Sequence, residues 1–238
     1  MIWKGLTFDT GDSEVYPPKP ASLLLAEIAI KVVRPGSKVL DACTGCGVVA
    51  IAIAKFVPQT DVFASDLNPD TIVATKRNAK QNRVAITTVV ADLYQSFPDN
   101  EFDVITVHPP AVPYPSQKDW GMTGGMKIAT NGGDDGSVLV SRSIVEAKRC
   151  LKKNGKLLLL LPHWSNVKKA QPLLRENYAD VVELGNRRVD FFPVTEGKPA
   201  DDVVQYARQL AEQGVIELEF ENGRPTSTVS VIQAVKSS

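Results

Sequence analysis

The sequence predicts an α/β fold: a mostly parallel sheet with helices on both faces. Three observations carry that prediction. Short, nearly continuous apolar runs alternate with segments of helical period along most of the 238 residues, as in strands buried on both faces and joined by helices. A glycine-rich turn, Gly45-Cys46-Gly47-Val48-Val49-Ala50, stands where one such run gives way to a helical one. Near the end, two period-2 runs flank Asn222-Gly223, a strong hairpin signal, so the sheet is expected to close with an antiparallel strand or hairpin.

Ala21 to Val33 reads as a helix, preceded by Pro20 and stopped by Arg34-Pro35-Gly36. Lys38 to Asp41 is a short buried strand; the glycine turn follows, then a helix from Val48 to Phe56. Asp61 to Ser65 is the second strand. Asn68 is a good N-cap and Pro69 fits the first helical position, opening a helix to about Gln81. Ile86 to Val90 and Phe102 to Val107 are the third and fourth strands. Pro109 to Asp135 is rich in Gly and Pro and reads as a functional or mobile loop. Ser137 to Lys152 is an amphipathic helix closed by Asn154-Gly155, and Lys156 to Leu161 is the most apolar strand. A helix (Val167 to Glu176), a strand (Val181 to Val189), a helix (Asp201 to Gln213, ended by Gly214) and the runs Val215 to Phe220 and Thr228 to Ala234 complete the chain.

Lys+Arg and Asp+Glu both number 27. That balance excludes an evident basic clamp for nucleic acid and an acidic-tail protein. No apolar run approaches the ~20 residues that span a bilayer. Three cysteines make no disulfide framework, and the start lacks the pattern of a signal peptide, so a cytoplasmic location is expected.

The turn matches G-x-G-x-x-G/A, whose glycines let a ligand approach the backbone at a helix N-terminus. Its surroundings narrow the ligand. Asp41 ends the preceding strand and Thr44 sits in the turn. A carboxylate there suits a ligand carrying an ammonium and a sulfonium better than a pyrophosphate. Asp66 ends the second strand, where it can accept from ribose hydroxyls, and Asp92 follows the third, within reach of an adenine amino group.

At these residues the chain resembles a known family. Val39-Leu40-Asp41-Ala42-Cys43-Thr44-Gly45-Cys46-Gly47 is similar to the V-L-D-x-G-T-G-S-G motif of class I S-adenosylmethionine-dependent methyltransferases. Ser65-Asp66-Leu67-Asn68-Pro69 and Ala91-Asp92-Leu93 resemble the next two motifs. Within the class, the likeness is to the HemK-like and "small domain" group. Val15-Tyr16-Pro17-Pro18 through Leu25 is similar to its V-Y-x-P-x-x-x-[ST]-x-L-L lead-in, which implies that Tyr16 and Ser22 lie near the cofactor. Gly132-Gly133-Asp134-Asp135-Gly136 resembles its G-G-x-D-G loop. The resemblance implies a Rossmann-like, seven-stranded sheet and S-adenosylmethionine as cofactor. It places Asp41, Thr44, Gly45 and Gly47 at the methionine part, Asp66 and Leu67 at the ribose, and Asp92 and Leu93 at the adenine.

The fourth strand exits into His108-Pro109-Pro110-Ala111, where the resembling family usually has N-P-P-aromatic. His108, Pro109 and Pro110 are the expected catalytic residues, with His108 also near the cofactor. His108 either orients or deprotonates the acceptor or is only a satisfied polar residue lining the cofactor pocket, and Ala111 removes the family's stacking platform. Tyr114, Trp120, His163 and Trp164 are the candidate acceptor-binding residues. Cys43 and Cys46 form a C-x-x-C without a second pair, so they read as packing residues, and no metal site is expected.

The expected organisation is a single methyltransferase domain with its cofactor core at about 15–162 and a C-terminal helix and hairpin at about 197–238. The expected acceptor is a nitrogen or oxygen nucleophile of a small molecule. The alternatives are a HemK-like protein glutamine or nucleic-acid N-methyltransferase, an NAD(P)-dependent oxidoreductase, and a non-catalytic binding protein of the same fold. A protein or RNA partner and a homodimer are left open, and no membrane association is expected.

Overall fold

The computed structural model describes residues 1–10, 15–115, 124–191, 194–195, 198–199 and 201–237. One eight-stranded sheet is built from β1 (Lys38–Ala42), β2 (Asp61–Asp66), β3 (Thr87–Val90), β4 (Phe102–Val107), β5 (Leu151–Pro162), β6 (Asp180–Asp190), β7 (Glu219–Glu221) and β8 (Arg224–Val235). The order across the sheet is β3-β2-β1-β4-β5-β8-β6, with β7 beside the first residues of β8. Strands β1 to β5 are parallel to one another. β8 runs antiparallel to β5, β6 and β7. The helices are α1 (Pro20–Val32), α2 (Val48–Phe56), α3 (Pro69–Gln81), α4 (Gly124–Thr130), α5 (Val138–Cys150), α6 (Val167–Asn177) and α7 (Asp201–Glu212).

Strand period sorts the core to two sides of this sheet. Val39, Val104, Leu158 and Leu160 pack with α1, α2 and α3. Leu40, Ile105, Leu157, Leu159 and Leu161 pack with α5 and α6. Leu157 to Leu161 are all buried, because both faces of β5 are covered; truncating one of these leucines to Ala costs about 2–5 kcal/mol. α2 is apolar all round, since Val48 to Ile53 are buried between the sheet and α1. α3 starts as its sequence demands: the Asn68 side chain accepts from the Asp70 N–H (3.0 Å), with Pro69 behind it.

Three boundaries differ from the sequence expectation. Asn154-Gly155 does not close α5. The helix ends at Cys150, Leu151 already pairs with Phe102, and the register of β5 shifts before Lys156 pairs with Val104. The loop after β4 contains a short helix, α4. The C-terminal hairpin is asymmetric: β7 has three residues and β8 has twelve. Its Asn222-Gly223 turn has φ of 50° and 79°, the positive pair of a type I′ turn. β8 therefore fills the sheet position between β5 and β6. No helix among the described residues is long and apolar enough to cross a membrane.

Candidate active site

A cavity opens along the C-terminal ends of β1 to β4, where ligands bind in open α/β sheets. Of the residues singled out from sequence, Tyr16, Ser22, Asp41, Thr44, Gly45, Asp66, Leu67, Asp92, Leu93, His108, Pro109, Pro110 and Trp164 line it. Gly47, Tyr114 and His163 do not, and Trp120 lies outside the described residues.

The glycine turn is shaped for close approach. Gly47 is the left-handed N-cap of α2 (φ 88°), and a Cβ there would come 3.0 Å from Ile51 Cδ1 and Thr75 Cγ2. Thr75 Oγ1 donates to the Gly45 carbonyl (2.8 Å), and Asn78 Nδ2 donates to the Cys46 carbonyl (2.9 Å). Two branched or polar side chains at strand exits also sit at positive φ, Cys43 at 54° and Leu93 at 47°, and both line the cavity. Such backbone strain concentrates at functional sites. The Cys43 and Cys46 thiols are pushed up by burial, Cys46 to about 12, so neither is a thiolate at neutral pH.

Asp41 is buried, and the chain itself supplies its donors. Thr106 Oγ1 donates to Oδ1 (2.6 Å); Thr44 Oγ1 (2.6 Å) and the Ala50 N–H (3.3 Å) donate to Oδ2. This carboxylate ties β1, β4, the turn and the first turn of α2 together. It is thus a brace of the methionine subsite as well as part of its wall. Burial raises it to about 6 against the opposing pull of these hydrogen bonds. Asp66 accepts from the Gly45 N–H (3.1 Å) and the Asn68 N–H (3.0 Å), and burial raises it too. Asp92 accepts from Arg142 Nη2 and Gln95 Nε2, both at 3.1 Å. Arg142 carries no motif that the sequence reading used. Its only sequence signal is a place on α5 that the fold turns toward the cavity.

At the other end stand His108, Pro109, Pro110 and Ala111. Burial lowers the His108 imidazole to about 4, and no carboxylate opposes it. It is therefore neutral at physiological pH, with one ring nitrogen able to donate and one to accept. Ala111 is pressed by the glycine loop: a Cβ on Gly136 would come 2.3 Å from the Ala111 carbonyl oxygen, and one on Gly132 2.7 Å from its Cα. Asp135 anchors that loop, accepting from Ser137, Asn166 and Lys169; burial opposes these bonds, but they hold it down at about 2. α4 forms the opposite wall through Gly125, Ile128, Ala129 and Thr130.

The acceptor-binding candidates divide. Tyr114 is buried against Val203 of α7 and its hydroxyl meets Thr130 Oγ1 at 3.5 Å, so it packs behind the wall and cannot offer a stacking face. His163 bonds Glu217 (2.8 Å) and Ser230 (3.0 Å), joining the exit of β5 to the C-terminal strands. Trp164 does reach the cavity, braced from behind by Phe191 at 5.5 Å. Its buried Nε1–H has no hydrogen-bond partner among the described residues.

The donor set fits a cationic cofactor. Three carboxylates face the cavity, and Arg142 is the sole Lys or Arg among its described lining residues; a pyrophosphate would meet repulsion here. Comparison with known proteins agrees. The methyltransferase small domain family matches residues 19–119. A putative protein N5-glutamine methyltransferase of Methanocaldococcus jannaschii is 33% identical over 147 residues, covering 62% of this chain and 72% of that protein. A release factor glutamine methyltransferase of Thermodesulfovibrio yellowstonii is 29% identical over 157 residues, covering 61% of this chain and 55% of that one. The chain thus spans only about half the length of the latter relative. Among solved structures, the YcgJ protein of Bacillus subtilis matches with a TM-score of 0.63 at 18% identity, covering 91% of this chain and 99% of that one, a likeness of fold. The chain belongs to the class I S-adenosylmethionine-dependent methyltransferases, in their HemK-like group.

Proposed function

We propose that the chain moves a methyl group from S-adenosylmethionine to the side-chain amide nitrogen of a glutamine residue in a protein. The observation that carries this reading is His108-Pro109-Pro110 at the exit of β4, lining the cofactor cavity and presenting a neutral imidazole. A carboxamide presents two N–H donors and one carbonyl acceptor. A neutral imidazole can accept from one of those N–H groups and so fix the direction of the nitrogen. With its pKa at about 4, His108 is a weak proton acceptor, and orienting is the role that its burial favours. Pro109 and Pro110 restrict the backbone beside it, so that little entropy is lost when the acceptor docks. When bound, S-adenosylmethionine supplies a methyl group on a cationic sulfur, already strongly electrophilic. The carboxylates at the glycine turn hold the cofactor's ammonium and ribose, leaving alignment as the main task of the β4 exit.

The relatives named for protein glutamine methylation support a protein acceptor, and none of those quoted above is named for a small metabolite. The test is incubation with isotope-labelled S-adenosylmethionine and a glutamine-containing release factor, followed by peptide mass spectrometry. Label on a glutamine side chain, lost with His108→Ala, is the expected result. Label that reaches only nucleic acid or small amides, with the protein unmodified, would overturn it.

A further inference from the structure

We infer that Arg142 selects the purine of the cofactor by holding Asp92 in one orientation; this rests on the cofactor assignment above. Arg142 is gripped from its own helix: Nε donates to Glu146 Oε1 (2.8 Å) and Nη2 to Glu146 Oε2 (3.4 Å). That grip fixes the plane of the guanidinium and aims Nη2 across to the exit of β3, where it meets Asp92 Oδ2 at 3.1 Å. Gln95 Nε2 donates to the same oxygen at 3.1 Å. Both protein donors thus fall on Oδ2, and no described residue donates to Oδ1.

A carboxylate held by one oxygen offers the other to whatever occupies the cavity that Asp92 and Arg142 both line. That oxygen can only accept. The exocyclic amine of adenine donates two N–H groups, whereas the oxo group of hypoxanthine can only accept and would be repelled. The pair adds little stability, since each side chain is 34% exposed and such pairs are largely screened. Orientation is the property that the geometry provides. The backbone agrees: Leu93, next to Asp92, is held at φ 47° while its side chain is buried, a strained conformation that a mere surface ion pair does not need.

The test measures calorimetric affinity for S-adenosylhomocysteine and for S-inosylhomocysteine, its 6-oxo analogue. Wild type is expected to prefer the amino form by about 10- to 100-fold. Arg142→Gln should lower affinity for the amino form by about tenfold and shrink the preference to within about threefold. Arg142→Lys keeps the charge without the two-sided grip and should fall between. Glu146→Gln loosens the grip outside the cavity and should act in the same direction, more weakly. On an Asp92→Asn background, Arg142→Gln should add no further loss of preference. Unchanged preference in Arg142→Gln, or full additivity with Asp92→Asn, overturns the inference while the cofactor assignment stands. Failure of wild type to bind S-adenosylhomocysteine overturns both. Unfolding midpoints confirm that each variant is folded.

Discussion

At the glycine-turn end of the cavity, Asp41, Asp66 and Asp92 each have donors supplied by the chain. At the β4 end, among the described residues, His108 faces the cavity with no carboxylate beside it and the buried Trp164 N–H has no partner. The first region is a hydrogen-bond network largely in place before a cofactor arrives, with Asp92 Oδ1 left open to it. In the second, the neutral His108 imidazole lines the cavity and can pair with the acceptor. A buried polar group without a partner carries a desolvation cost, so a ligand that supplies the partner gains by it. The division predicts that substitutions at one end act on binding and at the other on turnover.

The largest effect is expected at His108. His108→Ala should lower kcat by about 10²–10⁴-fold while the calorimetric affinity for S-adenosylhomocysteine stays within about threefold. His108→Asn, which restores a donor and an acceptor, should recover most of the loss. Equal damage to turnover and to cofactor affinity would break the division. The pH profile sharpens it. Burial holds the folded imidazole at about 4, below its ordinary 6.5. The neutral form's contribution is complete above about 6.5 and is lost as the pH falls toward 4. That window applies to stability; turnover follows the folded imidazole alone, so it should hold down to about pH 5 and fall to half near pH 4. A fall centred near pH 7 would mean a base of ordinary pKa.

Next in size is Asp66→Ala, expected to weaken S-adenosylhomocysteine by about 10- to 100-fold, the worth of one or two hydrogen bonds to a charged group. Its effect on kcat at saturating cofactor should be small. Asp41 gives the third effect, read from pH. Burial raises its folded pKa to about 6 from 3.8, so between those values the folded chain keeps a proton that the unfolded chain has released. Stability from this group is present below about 3.8 and declines as the pH rises to 6. The ammonium of the ligand's amino-acid part favours the ionised form of a carboxylate beside it. Affinity for S-adenosylhomocysteine should then rise by up to about tenfold per pH unit toward 6 and level off above it. Asp66, also raised by burial, adds to the slope in the same direction. Asp41→Asn should therefore flatten the slope only in part, and an unaltered slope would assign it to Asp66 alone.

The fold and the cofactor end were legible because each is written locally. Glycines at 45 and 47, an acid at or just after the end of each of the first three strands, Asn68-Pro69 and Asn222-Gly223 all act within a few residues of where they stand. The acceptor end was less legible, because its walls come from afar. Tyr114 is an acceptor-binding candidate by its place after Pro110, but pairing of the Tyr114 N–H with the Gly133 carbonyl (2.8 Å) turns that segment against α7. His163 follows the most apolar strand, and its neighbours Glu217 and Ser230 come from 54 and 67 residues away. Arg142 had no motif at all; its meaning depends on Asp92, brought near by packing α5 on the sheet.

Cys43 carries the smallest expected effect and probes how finished the cofactor end is. It stands at φ 54°, where the resembling motif, V-L-D-x-G, has glycine. An L-residue in that region costs about 1 kcal/mol or more, which glycine avoids. Against this, the Cys43 side chain packs on the cluster formed by Leu40, Tyr94 and Ile144, and glycine adds freedom to the unfolded chain. Cys43→Gly should therefore stabilise by less than about 1 kcal/mol, raising the unfolding midpoint by no more than about 2–4 °C, with cofactor affinity unchanged. A destabilised variant with intact affinity would mean that packing outweighs backbone strain. Loss of affinity at equal stability would make the thiol part of the cofactor wall, and the strain at position 43 would then be maintained for the ligand rather than tolerated by the fold.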